Sequence, residues 1–153
     1  MKAVLAIALV LVLAGGAGCG SDNTFAGKRT PASEPERVIR AWADTLRRGD
    51  VTAAARFFAV PSVVANGTPP VVLSTRAEVR AFNSSLPCGA RLLRTSSSGR
   101  FTTAVFRLTE RPGPGRCGTG TGQTARTTFV IRDGKIDEWR RVADTPQPTG
   151  PVV

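Results

Sequence analysis

The sequence predicts an α+β fold in which three N-terminal helices pack on one curved antiparallel sheet. Hydrophobic residues recur at helical spacing up to about residue 86, and they alternate with polar residues from residue 90 onward. Helical segments followed by strand segments are typical of domains whose helices cover one face of a sheet. Of the 153 residues, 41% are hydrophobic and 21% are charged, which is the mixture of a globular domain.

The first helix begins at a clear start signal. Ser33 and Glu36 form a Ser-x-x-Glu capping box, and Pro35 suits the first turn. Apolar residues then follow at helical spacing, and Gly49 ends the helix. These apolar residues are Val38, Ile39, Trp42 and Leu46.

A second, short helix is predicted to follow directly. Asp50 caps it, Ala54, Phe57 and Phe58 face inward, and Pro61 ends it.

Two short strands and a third helix come next. Residues 63–65 and 71–73 are β-branched or apolar, and a turn-forming Asn-Gly-Thr-Pro-Pro segment separates them. Thr75 and Glu78 form a second capping box, and Pro87 closes the helix that they begin.

The last part of the chain predicts a four-stranded meander. Residues 90–97 and 101–109 form strands that are joined at a Ser-Gly turn. A long loop over residues 111–122 contains five Gly and two Pro. Residues 124–132 and 135–142 then form a hairpin, with Asp133-Gly134 as its two-residue turn.

The chain begins with the pattern of a secretion signal. Lys2 precedes an uncharged apolar run over residues 3–13, which is too short to span a bilayer as a helix. The segment Gly16-Ala17-Gly18-Cys19 resembles the lipobox of bacterial lipoproteins. That resemblance implies cleavage after residue 18, a diacylglycerol anchor on Cys19, and attachment to the outer face of the cytoplasmic membrane. An ordinary signal peptide cut near Cys19 is the alternative.

The cysteine count agrees with export. If Cys19 is lipidated, Cys88 and Cys117 remain as an even pair in an oxidising compartment, where disulfides persist. We therefore predict a Cys88–Cys117 bridge, and two free thiols are the alternative. The spacing of the three Cys matches no zinc motif, so we expect no metal and no cofactor.

Charge and missing residue types narrow the function. The formal charge is +10, from 21 Lys and Arg against 11 Asp and Glu. Such a charge favours binding to anionic lipids and other polyanions. The cations are scattered along the sequence, and we expect the chain to be exported. Nucleic acid is therefore not an expected partner. The absence of His and Tyr excludes a His-based triad, a His metal site and a Tyr oxyanion donor.

The order of these elements resembles the nuclear transport factor 2-like superfamily, also called SnoaL-like or ketosteroid-isomerase-like. Two stretches carry the resemblance: a helix with a Gly-Asp break and a short helix ending in an aromatic residue (residues 38–58), and a strand, an Asp-Gly-Lys-Ile turn and a strand with an aromatic residue (residues 129–140). The resemblance implies a cone-like roll around an apolar pocket. Together with the lipobox-like segment and the polar or Pro-rich composition of the remaining segments, it predicts a signal peptide (1–18), a lipidated Cys and flexible tether (19–32), the domain (33–144) and a disordered tail (145–153).

Isomerases of this superfamily place a catalytic acid just after the second helix, and the matching residues 58–64 contain none. Asp137 or Glu138, on the last strand, is the remaining candidate base, paired with an arginine such as Arg107 or Arg126. If Ile136 faces the core, strict alternation puts Glu138 on the same face and Asp137 on the face of Trp139, unless the strand bulges. A solvated ion pair is the alternative role for either acid.

A set of aromatic residues is predicted to line the pocket or to form the core: Trp42, Phe58, Phe82, Phe106 and Trp139. The sequence thus favours a lipid-anchored, non-catalytic domain that binds a small apolar ligand or an envelope protein. The alternatives are an isomerase- or cyclase-type enzyme and a purely structural interaction module. A homodimer formed through the sheet is a further expectation.

Overall fold

The computed structural model describes residues 31–142. The predicted signal segment, Cys19, the tether up to residue 30 and the predicted tail lie outside the described residues. Within the described part, no helix is both long enough and apolar enough to cross a membrane. This part contains three α-helices and one six-stranded sheet, so the predicted α+β fold is confirmed.

The helices begin where the capping signals predict. The Ser33 hydroxyl accepts a hydrogen bond from the Glu36 N–H, and both halves of the Thr75–Glu78 capping box are present. Gly49 follows the first helix at φ +87°, a backbone conformation that favours glycine. The helices are α1 (Glu34–Arg47), α2 (Val51–Ala55) and α3 (Arg76–Ser85).

The strands form one sheet in the order β2-β1-β6-β5-β4-β3. The turn at Asp133 and Gly134 has positive φ at both residues, as a two-residue hairpin turn requires. The strands are β1 (Phe58–Ala65), β2 (Val71–Leu73), β3 (Gly89–Ser98), β4 (Phe101–Thr109), β5 (Thr124–Arg132) and β6 (Lys135–Val142).

The sheet is mixed, whereas the sequence predicts an antiparallel one. Four ladders are antiparallel, but β1 pairs with β6 in parallel, with Val64 opposite Trp139. The sequence of β1 does not indicate whether the strand pairs in parallel or antiparallel, because its partner lies more than seventy residues later in the chain.

The prediction that the second helix ends at Pro61 is also wrong. Helix α2 ends at Ala55, and Phe58 is already the first residue of β1. Pro61 lies inside this strand, where the register with β6 shifts between Phe58 and Val63. A proline donates no backbone hydrogen bond, so an irregularity in the ladder is the position at which a strand tolerates it.

The two faces of the sheet differ in their partners. The inner face, which packs on the helices, carries Ala104 and Phe106 on β4, Phe129 on β5 and Trp139 on β6. The outer face carries the residues that alternate with these. The core lies between the inner face, α1 and α3, and it contains Ile39, Trp42, Leu46 and Val79 from the helices.

Candidate functional site

Aromatic rings meet between the two longer helices and the inner face. The Trp42 ring contacts three phenylalanines edge to face, with centroid distances of 6.0 Å to Phe58, 6.3 Å to Phe106 and 5.7 Å to Phe129. Phe82 continues the cluster at 5.1 Å from Trp139. Edge-to-face contacts of this kind stabilise a core beyond the area that they bury.

A buried polar residue fixes the orientation of Trp42. The Trp42 Nε1–H donates to Asn83 Oδ1 at 2.8 Å, and Asn83 Nδ2–H donates to the Val79 carbonyl at 2.9 Å. Asn83 is fully buried. The sequence reasoning missed it, although it lies four residues after Val79 and therefore on the inward face of α3.

A cavity of about 100 Å³ opens beside this cluster. It is smaller than the roughly 300–1,000 Å³ of sites for drug-sized ligands, so it suits a single ring or a short acyl chain. Its walls are mostly apolar, and Arg141 is the one charged residue among the described residues that line it. The lining residues are Trp42, Leu46, Asn66, Leu86, Pro87, Cys88, Ala90, Phe106, Leu108, Ala125, Thr127, Trp139 and Arg141.

A second, more open groove of about 390 Å³ lies between α3 and the first two strands. Its wall includes Val64, Val71, Glu78 and Phe82. Asn66 borders both the cavity and the groove.

The five predicted aromatic residues lie in one cluster, but they do not all border the same space. Trp42, Phe106 and Trp139 border the cavity. Phe82 borders the groove. Phe58 is fully buried and borders neither space.

Trp139 has an unusual hydrogen-bonding environment. Its side chain is 96% buried, yet its indole Nε1–H has no hydrogen-bond partner among the described residues. An unmade hydrogen bond on a buried donor costs free energy, so a ligand acceptor that reached this group would recover it.

The two candidate acids of β6 lie outside the cavity lining. The register between β5 and β6 shifts between Val130 and Ile131, and this bulge leaves Asp137 without a ladder partner. Ile136 and Trp139 are therefore both buried, which strict alternation along the strand would not allow.

Both acids form ion pairs with arginines other than the two named from the sequence. Asp137 lies 3.2 Å from Arg132 Nη2. Glu138, on the outer face, lies 2.8 Å from Arg140 Nε and 3.4 Å from Arg100 Nη2.

Two other carboxylates are held by backbone N–H groups. Glu78 accepts from the N–H groups of Ser74 and Thr75, and these bonds lower its pKa. Glu110 accepts from the Cys117 and Gly118 N–H groups and from the Thr121 hydroxyl, and the bond from Cys117 is the main cause of its lowered pKa. A carboxylate with a lowered pKa is a poor general base.

The predicted disulfide is confirmed, and it lies at the cavity wall. Cys88 and Cys117 are bonded, with Cα atoms 4.5 Å apart, and Cys88 lines the cavity. Arg111 fixes the same loop because its guanidinium donates to the carbonyls of Ser84 and Leu86 at the end of α3. Burial of this guanidinium lowers the pKa of Arg111.

Within residues 31–142, no group of three or more Cys, Asp or Glu side chains comes together as a metal site would require.

Comparison with solved structures shows the fold. The chain is similar to a provisionally assigned polyketide cyclase from Sinorhizobium meliloti (16% identity, TM-score 0.54, covering 72% of this chain and 100% of that one). It is similar to a provisionally assigned ketosteroid isomerase from Kribbella flavida (17% identity, TM-score 0.53, covering 76% of this chain and 84% of that one). It is also similar to an NTF2-like protein of unknown function from Burkholderia xenovorans (14% identity, TM-score 0.54, covering 76% of this chain and 88% of that one).

The described part of the chain therefore has an NTF2-like fold, as the sequence resemblance predicts. At these identities the likeness concerns the fold alone. No family model matches the sequence, and no curated protein matches it.

Proposed function

We propose that this domain binds a small apolar ligand in the cavity between α1 and the inner face of the sheet and performs no chemistry on it. The observation that carries the proposal is the cavity lining, which is mostly apolar and includes no carboxylate among the described residues. A lining of this kind gains affinity from buried apolar area, and a few polar groups orient the ligand.

The polar groups around the cavity suit recognition better than proton transfer. General acid–base catalysis needs a group whose pKa lies near the working pH and which reaches the substrate. The Arg141 guanidinium and the Trp139 indole only donate hydrogen bonds, and the sequence contains no His and no Tyr.

The test is uptake of a small apolar fluorescent probe by the chain without residues 1–19, which keeps the whole described unit. Trp139→Ala removes one cavity wall and should weaken uptake roughly tenfold. Because the ring borders a cavity, this change should lower the free energy of unfolding by less than the ~3–5 kcal/mol that is typical of truncating a fully packed Trp.

Phe101→Ala is the matched control, because Phe101 is an exposed aromatic residue of the outer face. It should leave uptake unchanged. If the wild type takes up no probe of any size, the cavity serves packing only, and a structural interaction module replaces the binding proposal.

An isomerase or cyclase is the second candidate, favoured by what the names of two structural neighbours state. It predicts turnover of cyclisable or isomerisable carbonyl compounds, and loss of that turnover in Asp137→Asn or Glu138→Gln. Under the binding proposal, the same two variants keep probe uptake and the wild type turns over none of these compounds.

We further propose that Cys19 carries a lipid that holds the domain at the outer face of the cytoplasmic membrane. The support is the lipobox-like sequence and the disulfide, a bond that persists in oxidising compartments. Labelled palmitate should enter the wild-type chain, and Cys19→Ala should release the protein from membranes or leave an uncut precursor. Absence of label from the wild type would refute the anchor.

A further inference from the structure

The outer face of strands β3, β4 and β5 carries a patch of arginines. Arg91 and Arg94 lie on β3, Arg107 on β4 and Arg126 on β5, and all four are exposed. These four residues are called the arginine face below. None of them lines the cavity or the groove.

The strand register places the four arginines next to one another. Arg91 lies directly opposite Arg107, and Arg94 and Arg126 both lie opposite Val105, one on each side of it. Neighbouring strands are about 4.8 Å apart, so the four Cα atoms fall within a patch roughly 10–15 Å wide.

The patch carries no compensating acid. Five ion pairs occur among the described residues, and none of them includes a member of the arginine face. On the same face, the Glu138 carboxylate is already shared by Arg100 and Arg140. Like charges at directly opposite strand positions destabilise a sheet, so the arginine face lowers the stability of the fold and fits an anionic partner.

An exposed leucine lies between two of these arginines in the chain. Leu93 stands between Arg91 and Arg94, at the point where the register of β3 and β4 shifts, and 42% of its surface is exposed. Strand β3 is at the edge of the sheet, and no strand formed by residues 31–142 lies on its far side. An anionic lipid surface offers phosphates to the arginines and hydrocarbon to the leucine, whereas a soluble polyanion offers only the phosphates.

We propose that the arginine face docks on a bilayer that contains anionic lipids, with Leu93 entering the head-group region. The proposal does not depend on the cavity or on its ligand. A second copy of the chain fits the patch poorly, because a twofold dimer centred there would set the same four cations against themselves.

The experiment measures sedimentation with vesicles of the chain without residues 1–19, so that no lipid anchor contributes. Vesicles of phosphatidylcholine with about 30% phosphatidylglycerol should bind the wild type, and pure phosphatidylcholine should not. Each arginine near such a surface contributes roughly fivefold to binding, so Arg91→Gln with Arg107→Gln should weaken it by about 20- to 30-fold. Raised salt should weaken wild-type binding in the same direction.

The matched control removes the same charge elsewhere. Arg56 and Arg80 are exposed, lie in no ion pair of the described residues, and belong to the helical side of the domain. Arg56→Gln with Arg80→Gln should weaken binding by less than about threefold. Equal losses in the two double variants would mean that net charge alone drives binding, and this would overturn the proposal.

Leu93 distinguishes a bilayer from a soluble polyanion. Leu93→Ser should weaken vesicle binding several-fold and leave binding to inorganic polyphosphate unchanged. In Leu93→Trp, the fluorescence of the added tryptophan should shift to shorter wavelength with anionic vesicles and should not shift with polyphosphate. Binding to polyphosphate without binding to vesicles would overturn the proposal.

Discussion

At the scale of single residues, the two tryptophans of the cavity differ in what their indole N–H groups contact. The Trp42 N–H donates to Asn83, whereas the Trp139 N–H has no partner among the described residues. Both rings are almost fully buried. Replacing each tryptophan by phenylalanine therefore separates the contribution of the hydrogen bond to stability from the contribution of ring packing.

Trp42→Phe should destabilise the domain more than Trp139→Phe. The first change leaves the buried Asn83 Oδ1 without its donor, which costs ~1–3 kcal/mol beyond the lost ring contacts. The second removes a buried donor that makes no bond. Urea unfolding of the two variants measures the difference, and equal losses would contradict the role assigned to Asn83.

Glu110 makes stability depend on pH. Its pKa in the folded chain is lowered from the ordinary value of 4.5, so its contribution to stability is complete above that value and is lost as the pH falls through the folded pKa. Unfolding midpoints measured from pH 6 to about pH 3 should fall less steeply in Glu110→Gln than in the wild type.

Glu34→Gln is the control for this titration. It also removes one exposed carboxylate, but no backbone N–H of residues 31–142 donates to Glu34 as those of Cys117 and Gly118 donate to Glu110. Its pH profile should follow that of the wild type, and a profile as flat as that of Glu110→Gln would contradict the assignment.

At the scale of elements, the loop between β4 and β5 is fixed in place although its composition is rich in glycine and proline. The disulfide joins it to the start of β3, and Arg111 joins it to the end of α3. Gly49, between α1 and α2, also lies against this loop, because a Cβ atom there would come within 2.9 Å of Pro112. The loop therefore closes one end of the domain.

Removing the bridge should destabilise the domain by ~3.6 kcal/mol, the chain entropy expected for a closed loop of about 30 residues. Cys88→Ala with Cys117→Ala should show this loss in urea unfolding. A reducing agent should lower the stability of the wild type and leave the double variant unchanged. Thiol titration of the chain without residues 1–19 should find no free thiol, and two reactive thiols would contradict the bridge.

Sequence reasoning succeeds where structure is local. The helix N-caps at Ser33 and Thr75 and the Asp133-Gly134 hairpin turn depend on near neighbours, and the structure contains them. It fails where a distant partner decides: Phe58 joins a strand because β6 is beside it, and the β6 bulge moves Asp137 out of alternation. The cavity walls come from five separate elements and the segments between them, so their positions follow from tertiary packing and not from local spacing.

At the scale of the whole molecule, residues 31–142 carry 18 Lys and Arg against nine Asp and Glu, a net side-chain charge of +9. Only five ion pairs form within this part of the chain. Self-repulsion among the other cations destabilises the compact state. Exposed ion pairs contribute little in return.

Added salt should therefore stabilise the domain. Raising sodium chloride from about 20 mM to about 300 mM shortens the screening length and should raise the melting temperature by a few degrees. Arg91→Gln with Arg107→Gln should be more stable than the wild type at low salt and should respond less to its addition. A melting temperature that falls with salt would show that attraction dominates the charge distribution.

The parallel pairing of β1 with β6 has a consequence for the timing of folding. Strand β1 lies between β2 and β6, so one of its two edges stays unpaired until the last strand has left the ribosome. Residues Val64 and Trp139 are 75 positions apart, and contacts of such long sequence separation slow folding because the intervening loop must close before these contacts form. The sheet is therefore completed only after β6 has been synthesised, and the export that we propose would require threading through a translocation pore before that step.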